Sequence, residues 1–385
     1  MRILNILPRN MHFGPSNATS IDLCVHDLVC GSLYRASTRI LCSPNETLFS
    51  GLDVTTLPSA DNASRRQRWK YLLRYVREYR SDLVVVQQHL PTAVAIARAV
   101  TVPVVLHSHN MAKPSPSSGL ISGIRRRLRA QSYRSLAGLI FVSEAAQASF
   151  EREWPEATAP RMVVPNGMKF EDWSPCSVRE PEVLCVGRAS PEKGIKEAAL
   201  AVVEVLQRYP GWSARFILSE THVFPAYFME VRKILAEMPG RVTLQESEPW
   251  AVVRKHFEAA AIAVVPSRWE EPFGRTALEA HAGGCAVVSS GTGGLREISS
   301  GHAVYLPRNF SERDVAHAVA GLIADEGRRN FLATAGRDFC KDNFAISKVS
   351  GRADQCYETV VGISEVAQGR RLQSVRADGG LPEVV

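Results

Sequence analysis

The sequence lacks long apolar runs and closely spaced cysteine pairs. No stretch of about 18 consecutive apolar residues occurs, so we predict no membrane-spanning helix. The 8 cysteines include no pair with C-x-x-C spacing, which argues against a zinc site. Several of them lie in apolar runs, as is typical of buried thiols in a reducing, cytosolic compartment. The apolar run that follows Met1 is too short for a signal peptide.

Other absences concern cofactors and polyanionic partners. No G-x-G-x-x-G run follows the first predicted strand, Arg2–Leu7, which disfavours a dinucleotide-binding oxidoreductase. No Asp-x-Asp pair and no histidine cluster offers metal ligands, so we predict neither a cofactor nor a metal requirement. The formal net charge of +7 fits an anionic ligand or an anionic membrane surface. Charge alone would allow nucleic acid, but no motif supports it, and we predict no nucleic-acid partner.

Length and periodicity predict two α/β domains. The 385 residues exceed the roughly 100–200 that a single core usually holds. Short apolar runs typical of buried strands alternate with segments of helical period, and the alternation occurs twice. We therefore predict two parallel-sheet domains, at residues 1–173 and 174–345, with a linker over Phe170–Glu180.

The most informative stretch runs from Val264 to Ile298, and two of its carboxylates, Glu271 and Glu279, lie on either side of a predicted helix start. The letters P-F-G separate the first of them from a helical run, Arg275–Ala282. Because proline is tolerated only at the start of a helix, Glu271 should lie in the preceding loop and Glu279 about two turns inside the helix. Helical spacing then separates them by at most about 12 Å. The helix N-terminus between them is suited to a diphosphate.

A second motif, G-R-A-S-P-E-K-G, occupies Gly187–Gly194, between a predicted strand (Val183–Val186) and a helical run that begins at Ile195. It places Arg188 and Lys193 five residues apart at a strand-to-helix junction. Two fixed cations in that position suit two phosphates. The alternative is a surface turn with ordinary charges.

Histidines follow two predicted strands of the first domain. The run P-V-V-L-H-S-H-N ends the strand Pro103–Leu106 with His107, His109 and Asn110, and His89 follows another strand. A histidine at the carboxyl end of a strand in an open α/β sheet faces the ligand crevice. The alternative for each is a surface histidine whose hydrogen bonds are satisfied by the protein.

Three further segments of the first domain suggest contacts with ligands or surfaces. Gly14 lies in the turn before the helix Ser20–Leu33, where backbone N–H groups approach a ligand, unless it forms only a plain turn. Lys113–Gly123 is rich in Ser, Pro and Gly and predicts a mobile loop. Ile124–Arg134 carries five arginines in eleven residues, which suits phospholipid headgroups or a phosphorylated acceptor. A solvated helix face is the alternative.

These motifs resemble those of the family 4 retaining glycosyltransferases (glycosyltransferase group 1), which have the GT-B fold. The resemblance rests on E-P-F-G-R-x-x-L-E-A, A-G-G-x-A-V-V-S and G-G-L-R-E, on G-R-x-x-x-x-K-G, on V-P-N-G at Val164–Gly167, and on P-V-V-L-H-S-H-N. It implies two Rossmann-like domains facing a central cleft. It also implies that the last helix, with the tail in residues 346–385, crosses back to the first domain, and we expect that helix over Ile346–Val361 and a frayed tail over Gly369–Val385.

The resemblance also implies a reaction, in which a hexose-type sugar passes from a nucleotide-diphosphate sugar to an acceptor hydroxyl with retention. Arg188 and Lys193 would hold the diphosphate, Glu271 the donor sugar hydroxyls and Glu279 the ribose hydroxyls. His109 would contact the sugar or the reaction face. The remaining predicted contacts are, for the donor, Gly14, Gly187, Pro272, Phe273, Gly274 and Arg275, and, for the acceptor, His89, His107 and Asn110.

The sequence leaves the donor and the acceptor open. Gln245 and Glu246 stand where the family usually has glycine on the nucleobase side, so the base is not predicted. A basic first domain suits a lipopolysaccharide, polysaccharide or lipid-linked glycan as acceptor, at the inner face of the cell membrane. The alternative is a non-hydrolysing sugar-nucleotide epimerase of GT-B fold. A non-catalytic binding module would lack Lys193 or Glu271, and both are present.

Overall fold

The computed structural model of the chain describes residues 1–11, 13–15, 19–59, 64–112 and 120–378. These residues fall into two compact units. The first comprises those within Met1–Val142 and Gln147–Gly167 and from Ser347 on; the second comprises Ser143–Ala146 and Met168–Ile346. The predicted boundary, between residues 173 and 174, lies a few residues further along the chain than the observed one.

The first unit is built on a parallel sheet of short, mostly buried strands. Its strands are β1 (Ile3–Ile6), β2 (Thr38–Cys42), β3 (Asp53–Thr56), β4 (Leu83–Gln87), β5 (Val104–Ser108), β6 (Gly138–Phe141) and β7 (Arg161–Val163). They pair in the order β3-β2-β1-β4-β5-β6-β7. The order reverses between β1 and β4, which is the switch point at which open α/β sheets bind ligands.

Helices connect the strands of this first sheet. They are α1 (Ser20–Gly31), α2 (Arg65–Tyr79), α3 (Leu90–Ala99), α4 (Leu120–Tyr133) and α5 (Glu144–Glu153). A capping box formed by Thr19 and Asp22 starts α1. Most of the predicted mobile loop, residues 113–119, lies outside the described residues, and its last part belongs to α4. Nowhere in the described part of the chain is a helix both long and apolar enough to span a bilayer.

The second unit repeats the same architecture. Its strands are β8 (Glu180–Arg188), β9 (Ser213–Ser219), β10 (Val242–Glu246), β11 (Ala260–Val265), β12 (Ala286–Ser289) and β13 (Ala303–Tyr305), in the order β10-β9-β8-β11-β12-β13. Its helices are α6 (Ile195–Arg208), α7 (Pro225–Leu235), α8 (Trp250–Ala259), α9 (Arg275–Ala282), α10 (Leu295–Ser299), α11 (Glu312–Ala324) and α12 (Glu326–Phe344). The strand order reverses between β8 and β11. The prediction of two parallel-sheet, Rossmann-like domains is thus confirmed.

The last helix, α13 (Ile346–Asp378), belongs to the first unit, as predicted. Its buried side chains share a core with strands β1 and β4, and Ser350 Oγ donates to the carbonyl oxygen of Leu28 at 3.0 Å. The predicted end at Val361 and fraying from residue 369 are wrong as far as Asp378, because good helix formers continue the helix past Gly362 and Gly369. Residues 379–385 of the predicted tail lie outside the described residues.

Candidate functional site

The second sheet brings the predicted cations and the first carboxylate to one edge. Arg188 is the last residue of β8, Lys193 ends a short 3-10 turn before α6, and Glu271 lies in the loop after β11. Because β8 and β11 are neighbours where the strand order reverses, all three residues follow the carboxyl ends of the two central strands. This is the place at which open α/β sheets bind their ligands.

Lys193 and Glu271 form a direct ion pair at this edge. Lys193 Nζ lies 2.5 Å from Glu271 Oε1, and Ser267 Oγ donates to the same oxygen at 2.7 Å. The two charged side chains are only 21% and 10% exposed, so the pair is largely shielded from water. The sequence predicted both residues as ligand contacts but not their contact with each other. It also missed Ser267, whose position four residues before Glu271 in one loop was the available signal.

Arg188 is paired with carboxylates that the sequence analysis did not single out. Its Nη2 donates to Glu192 Oε1 at 2.7 Å, and its Nη1 lies 3.6 Å from Glu220 Oε2. Glu220 has a left-handed backbone (φ 52°) just after β9. The guanidinium is more than a third exposed, so these pairs are accessible to exchange with a ligand anion.

Glu279 lies inside α9 as predicted, and its carboxylate is largely buried. Its Oε1 accepts hydrogen bonds from Arg275 Nε at 2.9 Å and from Trp250 Nε1 at 3.4 Å. Arg275, predicted as a donor contact, therefore holds Glu279 across one helical turn. Trp250, the first residue of α8, was missed, because no sequence spacing links it to Glu279.

Glycines with left-handed backbones shape the loop that carries Glu271. Gly274 has φ 105°, and a Cβ there would lie 2.3 Å from Leu295 Cδ2. Gly293 has φ 55°, and its Cβ would lie 2.2 Å from the carbonyl oxygen of Glu271, which accepts from Gly294 N at 2.8 Å. Only glycine fits these two positions. The glycine turn after β12 therefore fixes the backbone of Glu271.

The other predicted donor contacts differ in their surroundings. Phe273 is buried and packs edge-on against Phe344, with ring centroids 5.7 Å apart, so its side chain supports the loop from inside the protein. The carbonyl oxygen of Pro272 accepts a hydrogen bond from Ser143 Oγ. A Cβ on Gly187 would meet only Ile195 Cδ1 at 3.6 Å, an ordinary contact. Protein packing therefore does not require glycine at that strand end.

In the first unit, His109 is part of a buried polar chain at the carboxyl ends of β4 and β5. Its Nε2 lies 2.7 Å from Gln87 Oε1, and Gln87 Nε2 donates to Asn5 Oδ1 at 2.7 Å. Its backbone N–H donates to Gln88 Oε1 at 2.6 Å. Burial, and secondarily the stacked His107 ring, hold the pKa of His109 well below its usual range. The imidazole is therefore neutral at pH 7.

The three predicted acceptor contacts lie in different environments. His107 is 1% exposed, and within the described residues neither of its ring nitrogens has a hydrogen-bond partner. Burial lowers its pKa to about 4. The exposed His89 caps α3, because its Nδ1 accepts from Thr92 N at 3.3 Å. Asn110 is exposed just past the end of β5. Capping of α3 explains His89 structurally, whereas the hydrogen bonds of the described residues do not explain His107, and the acceptor roles of all three residues stay predictions.

Gly14 has a packing explanation as well. A Cβ there would lie 1.9 Å from the carbonyl oxygen of Thr47, so only glycine allows the two loops to approach. The following predicted turn residues, Ser16 and Asn17, lie outside the described residues. Among the residues that the structure does describe, no group of three or more His, Cys, Asp and Glu side chains could hold a metal ion.

Two Rossmann-like sheets, with a paired lysine and glutamate at the switch point of the second, define a protein of the GT-B class. Residues 26–167 match the model of the glycosyl transferase 4-like domain, and residues 180–325 match that of the glycosyl transferases group 1. These two ranges contain His109, Arg188, Lys193, Glu271 and Glu279. The chain belongs to the group 1 glycosyltransferases, as the sequence motifs predicted.

Individual relatives are similar over large parts of the chain. Alpha-maltose-1-phosphate synthase of Mycolicibacterium smegmatis is 26% identical over 58% of this chain, which spans 63% of that protein's length. Glycogen synthase of Mycobacterium tuberculosis is 29% identical over 73% of this chain and 69% of the length of that synthase. The crystal structure of Anabaena Alr3699/HepE in complex with UDP and glucose has a TM-score of 0.71 at 17% identity, over 93% of this chain and 100% of that chain. At such low identity the structural likeness shows the fold.

Proposed function

We propose that the protein is a retaining glycosyltransferase that moves a hexose-type sugar from a nucleotide-diphosphate sugar to an acceptor hydroxyl. The observation that carries the proposal is the convergence of Arg188, Lys193 and Glu271 at the switch point of the second sheet. The curated relatives, which are named as synthases of alpha-maltose 1-phosphate and of glycogen, support it. A further structure of Alr3699/HepE, in complex with UDP-glucose, supports a nucleotide-sugar donor.

The two cationic side chains, Arg188 and Lys193, stabilise the leaving group, which is a nucleoside diphosphate. As the glycosidic bond breaks, negative charge grows on the β-phosphate, and preorganised cations stabilise that charge well in a water-poor site. Lys193 has three N–H donors, so it can keep its bond to Glu271 and still donate to a phosphate oxygen. Arg188 releases Glu192 or Glu220 and binds the phosphates through its planar fork. The start of α9 adds backbone N–H groups.

The two glutamates hold the sugar and the ribose. A carboxylate accepts several hydrogen bonds, so Glu271 can accept from sugar hydroxyls while Lys193 and Ser267 fix its orientation. Glu279, held by Arg275 and Trp250, accepts in the same way from ribose hydroxyls. In this proposal the protein's cations supply the positive charge, and no metal is required.

His109 serves as a neutral hydrogen-bonding group at the sugar or the reaction face. Because its pKa is far below 7, it cannot compensate phosphate charge. With Nε2 donating to Gln87 Oε1, the proton position is fixed and Nδ1 is left as an acceptor. A sugar hydroxyl is the donor that fits such a nitrogen.

The acceptor in this proposal is a lipopolysaccharide, polysaccharide or lipid-linked glycan at an anionic membrane surface. On α4, Ile124 and Leu128 are 61% and 58% exposed, one helical turn apart. Arg126 and Arg129 on the same helix lie over the ring of Trp154, at 5.7 and 5.1 Å. Exposed aliphatic side chains beside arginines are typical of helices that lie in a membrane interface. Co-sedimentation with anionic vesicles tests this, and Ile124→Ser/Leu128→Ser should abolish it.

Transfer assays with two variants test the function. Lys193→Ala and Glu271→Ala should each abolish transfer while circular dichroism shows a folded protein, and near-normal turnover in either would contradict the assignment. A thermal-shift screen of nucleotide-sugars identifies the donor, because a ligand that binds only the folded state raises the midpoint. Nucleoside diphosphate released only in the presence of acceptor indicates transfer. A donor sugar epimerised without acceptor would indicate the epimerase instead.

A further inference from the structure

A concave surface of the first unit lies at the edge of the sheet opposite His109. It has a volume of about 760 Å3. Arg2 precedes β1, Asp82 precedes β4 and Val102 precedes β5, so the cavity lies at the amino ends of these strands, whereas His109 follows the carboxyl end of β5. Its polar lining consists mainly of Arg2, Arg77, Arg80, Ser81, Asp82 and Arg98.

The charge of this cavity is strongly positive. Four guanidinium groups line it against one carboxylate, that of Asp82. The C-terminal ends of α2 and α3 also point here, and each contributes about half a negative charge. Roughly two positive charges remain uncompensated. Within the described part of the chain, none of the four arginines forms an ion pair, and Arg77 alone donates a side-chain hydrogen bond, to Ala99 O at 3.4 Å.

The carboxylate of the cavity is held in place by the backbone. Arg2 N donates to Asp82 Oδ2 at 2.6 Å and Asp82 N donates to Arg2 O at 2.8 Å, so this carboxylate joins two strand starts. Arg80 ends α2 with a left-handed backbone, φ 51°. The next residue, Ser81, is 4% exposed, and its Oγ has no hydrogen-bond partner among the described residues. A buried hydroxyl without a partner is uncommon in folded proteins and requires an explanation.

We propose that this arginine-lined cavity is a binding site for a phosphate-bearing anion. Guanidinium groups match phosphate oxygens in pairs, and several of them around one cavity recognise a polyphosphate or a phosphate ester. The site lies in the first unit, apart from Arg188 and Lys193 in the second, so it neither belongs to the donor site nor depends on the proposed transfer reaction.

Calorimetric titration with inorganic triphosphate tests the site. All titrations use the Lys193→Ala background, which weakens triphosphate binding by the second unit and so reduces its share of the heat. Arg80→Gln/Arg98→Gln should weaken binding about tenfold or more, because two charge-assisted contacts are lost. The matched control is Arg66→Gln/Lys70→Gln, which removes two exposed positive charges from the first half of α2, outside the cavity. It should retain the binding of the parent protein.

Equal weakening in the two double variants would overturn the proposal, because only net charge would then matter. If the parent protein does not bind triphosphate, a second assay with lipid vesicles decides. In this assay, vesicles of phosphatidylcholine with and without phosphatidylglycerol are sedimented with the same variants. Loss of vesicle binding in Arg80→Gln/Arg98→Gln, but not in the control, assigns the phosphate to a lipid headgroup. Binding in neither assay, or binding that both variants retain, refutes the site.

Discussion

The ion pair between Lys193 and Glu271 makes a quantitative prediction about the second unit. The perturbation is a double-mutant cycle with Lys193→Met, Glu271→Gln and both changes together. In Lys193→Met, the Glu271 carboxylate, which is 10% exposed, keeps only one hydrogen-bond donor, the neutral hydroxyl of Ser267. Breaking a buried pair costs about 3–5 kcal/mol, and the partial exposure of the lysine reduces this to about 2–3 kcal/mol. Glu271→Gln keeps a hydrogen-bonding side chain, so we expect about 1–2 kcal/mol.

The two changes together should cost less than their sum, by a coupling energy of about 1–2 kcal/mol. The measurement is the free energy of unfolding from urea titration of the second unit's transition. The matched control is the same cycle on Arg208 and Glu204, a pair in this unit that is about half exposed, with 2.8 Å between Nη2 and Oε1. There the coupling should be about 0.5 kcal/mol or less.

Affinity for the nucleoside diphosphate of the donor found in the thermal-shift screen provides the second readout of the cycle. Lys193→Met should weaken binding of that diphosphate by roughly 2 kcal/mol, about thirtyfold, because a charged donor to it is lost. Glu271→Gln should not weaken it, because a negative charge beside the diphosphate disappears. The reasoning is refuted if Lys193→Met binds the diphosphate as the parent does, or if the Lys193–Glu271 coupling is no larger than that of the surface pair.

Three further predictions concern strain, acid and metal. Gly194→Ala should lower the free energy of unfolding by about 3 kcal/mol in urea titrations, because a Cβ at this position, where φ is 64°, would lie 2.0 Å from Pro266 O. The control Gly240→Ala should cost about 1 kcal/mol, because φ there is 76° but the space around the Cβ is open. Equal costs for the two variants would contradict this reasoning. The pKa of His107 falls from an ordinary 6.5 to about 4 on folding, so the folded state binds fewer protons between these values. His107 alone should therefore contribute a loss of about 2 kcal/mol of stability on acidification from pH 7.5 to 5, and a His107→Phe variant should lose less than the parent over that range. Transfer rates should stay within roughly twofold after dialysis against EDTA, because the proposed cations replace a metal; loss that added magnesium restores would disprove that part.

Local patterns sufficed for most of the elements and for the segment that carries the two glutamates. The helix Arg275–Ala282 was predicted with the bounds that the structure shows, since proline and glycine mark its start. The contact between Lys193 and Glu271 could not be predicted, because it joins residues 78 positions apart. It exists because β8 and β11 are neighbours, and strand order is a property of the whole sheet.

The contacts that the sequence did not predict share a physical cause, because they join residues that are distant along the chain. The sequence pattern places Phe273 in a ligand-binding loop, and the structure shows that its ring packs on Phe344, the last residue of α12. His107 alternates with His109 along one strand end, and both rings are enclosed. Trp250 reaches Glu279 from a helix that no local spacing connects to it.

The return of α13 to the first unit affects the order in which the protein is completed during synthesis. Apart from Ser143–Ala146, the second unit is one uninterrupted segment that ends at Ile346, so it is synthesised whole before the last helix. The apolar surface around Leu28 stays uncovered until Val349–Val360 emerges. Domains usually mature from the amino terminus onward. We therefore expect the first unit, although it is translated first, to complete its core last, with part of its apolar surface exposed until α13 has been synthesised.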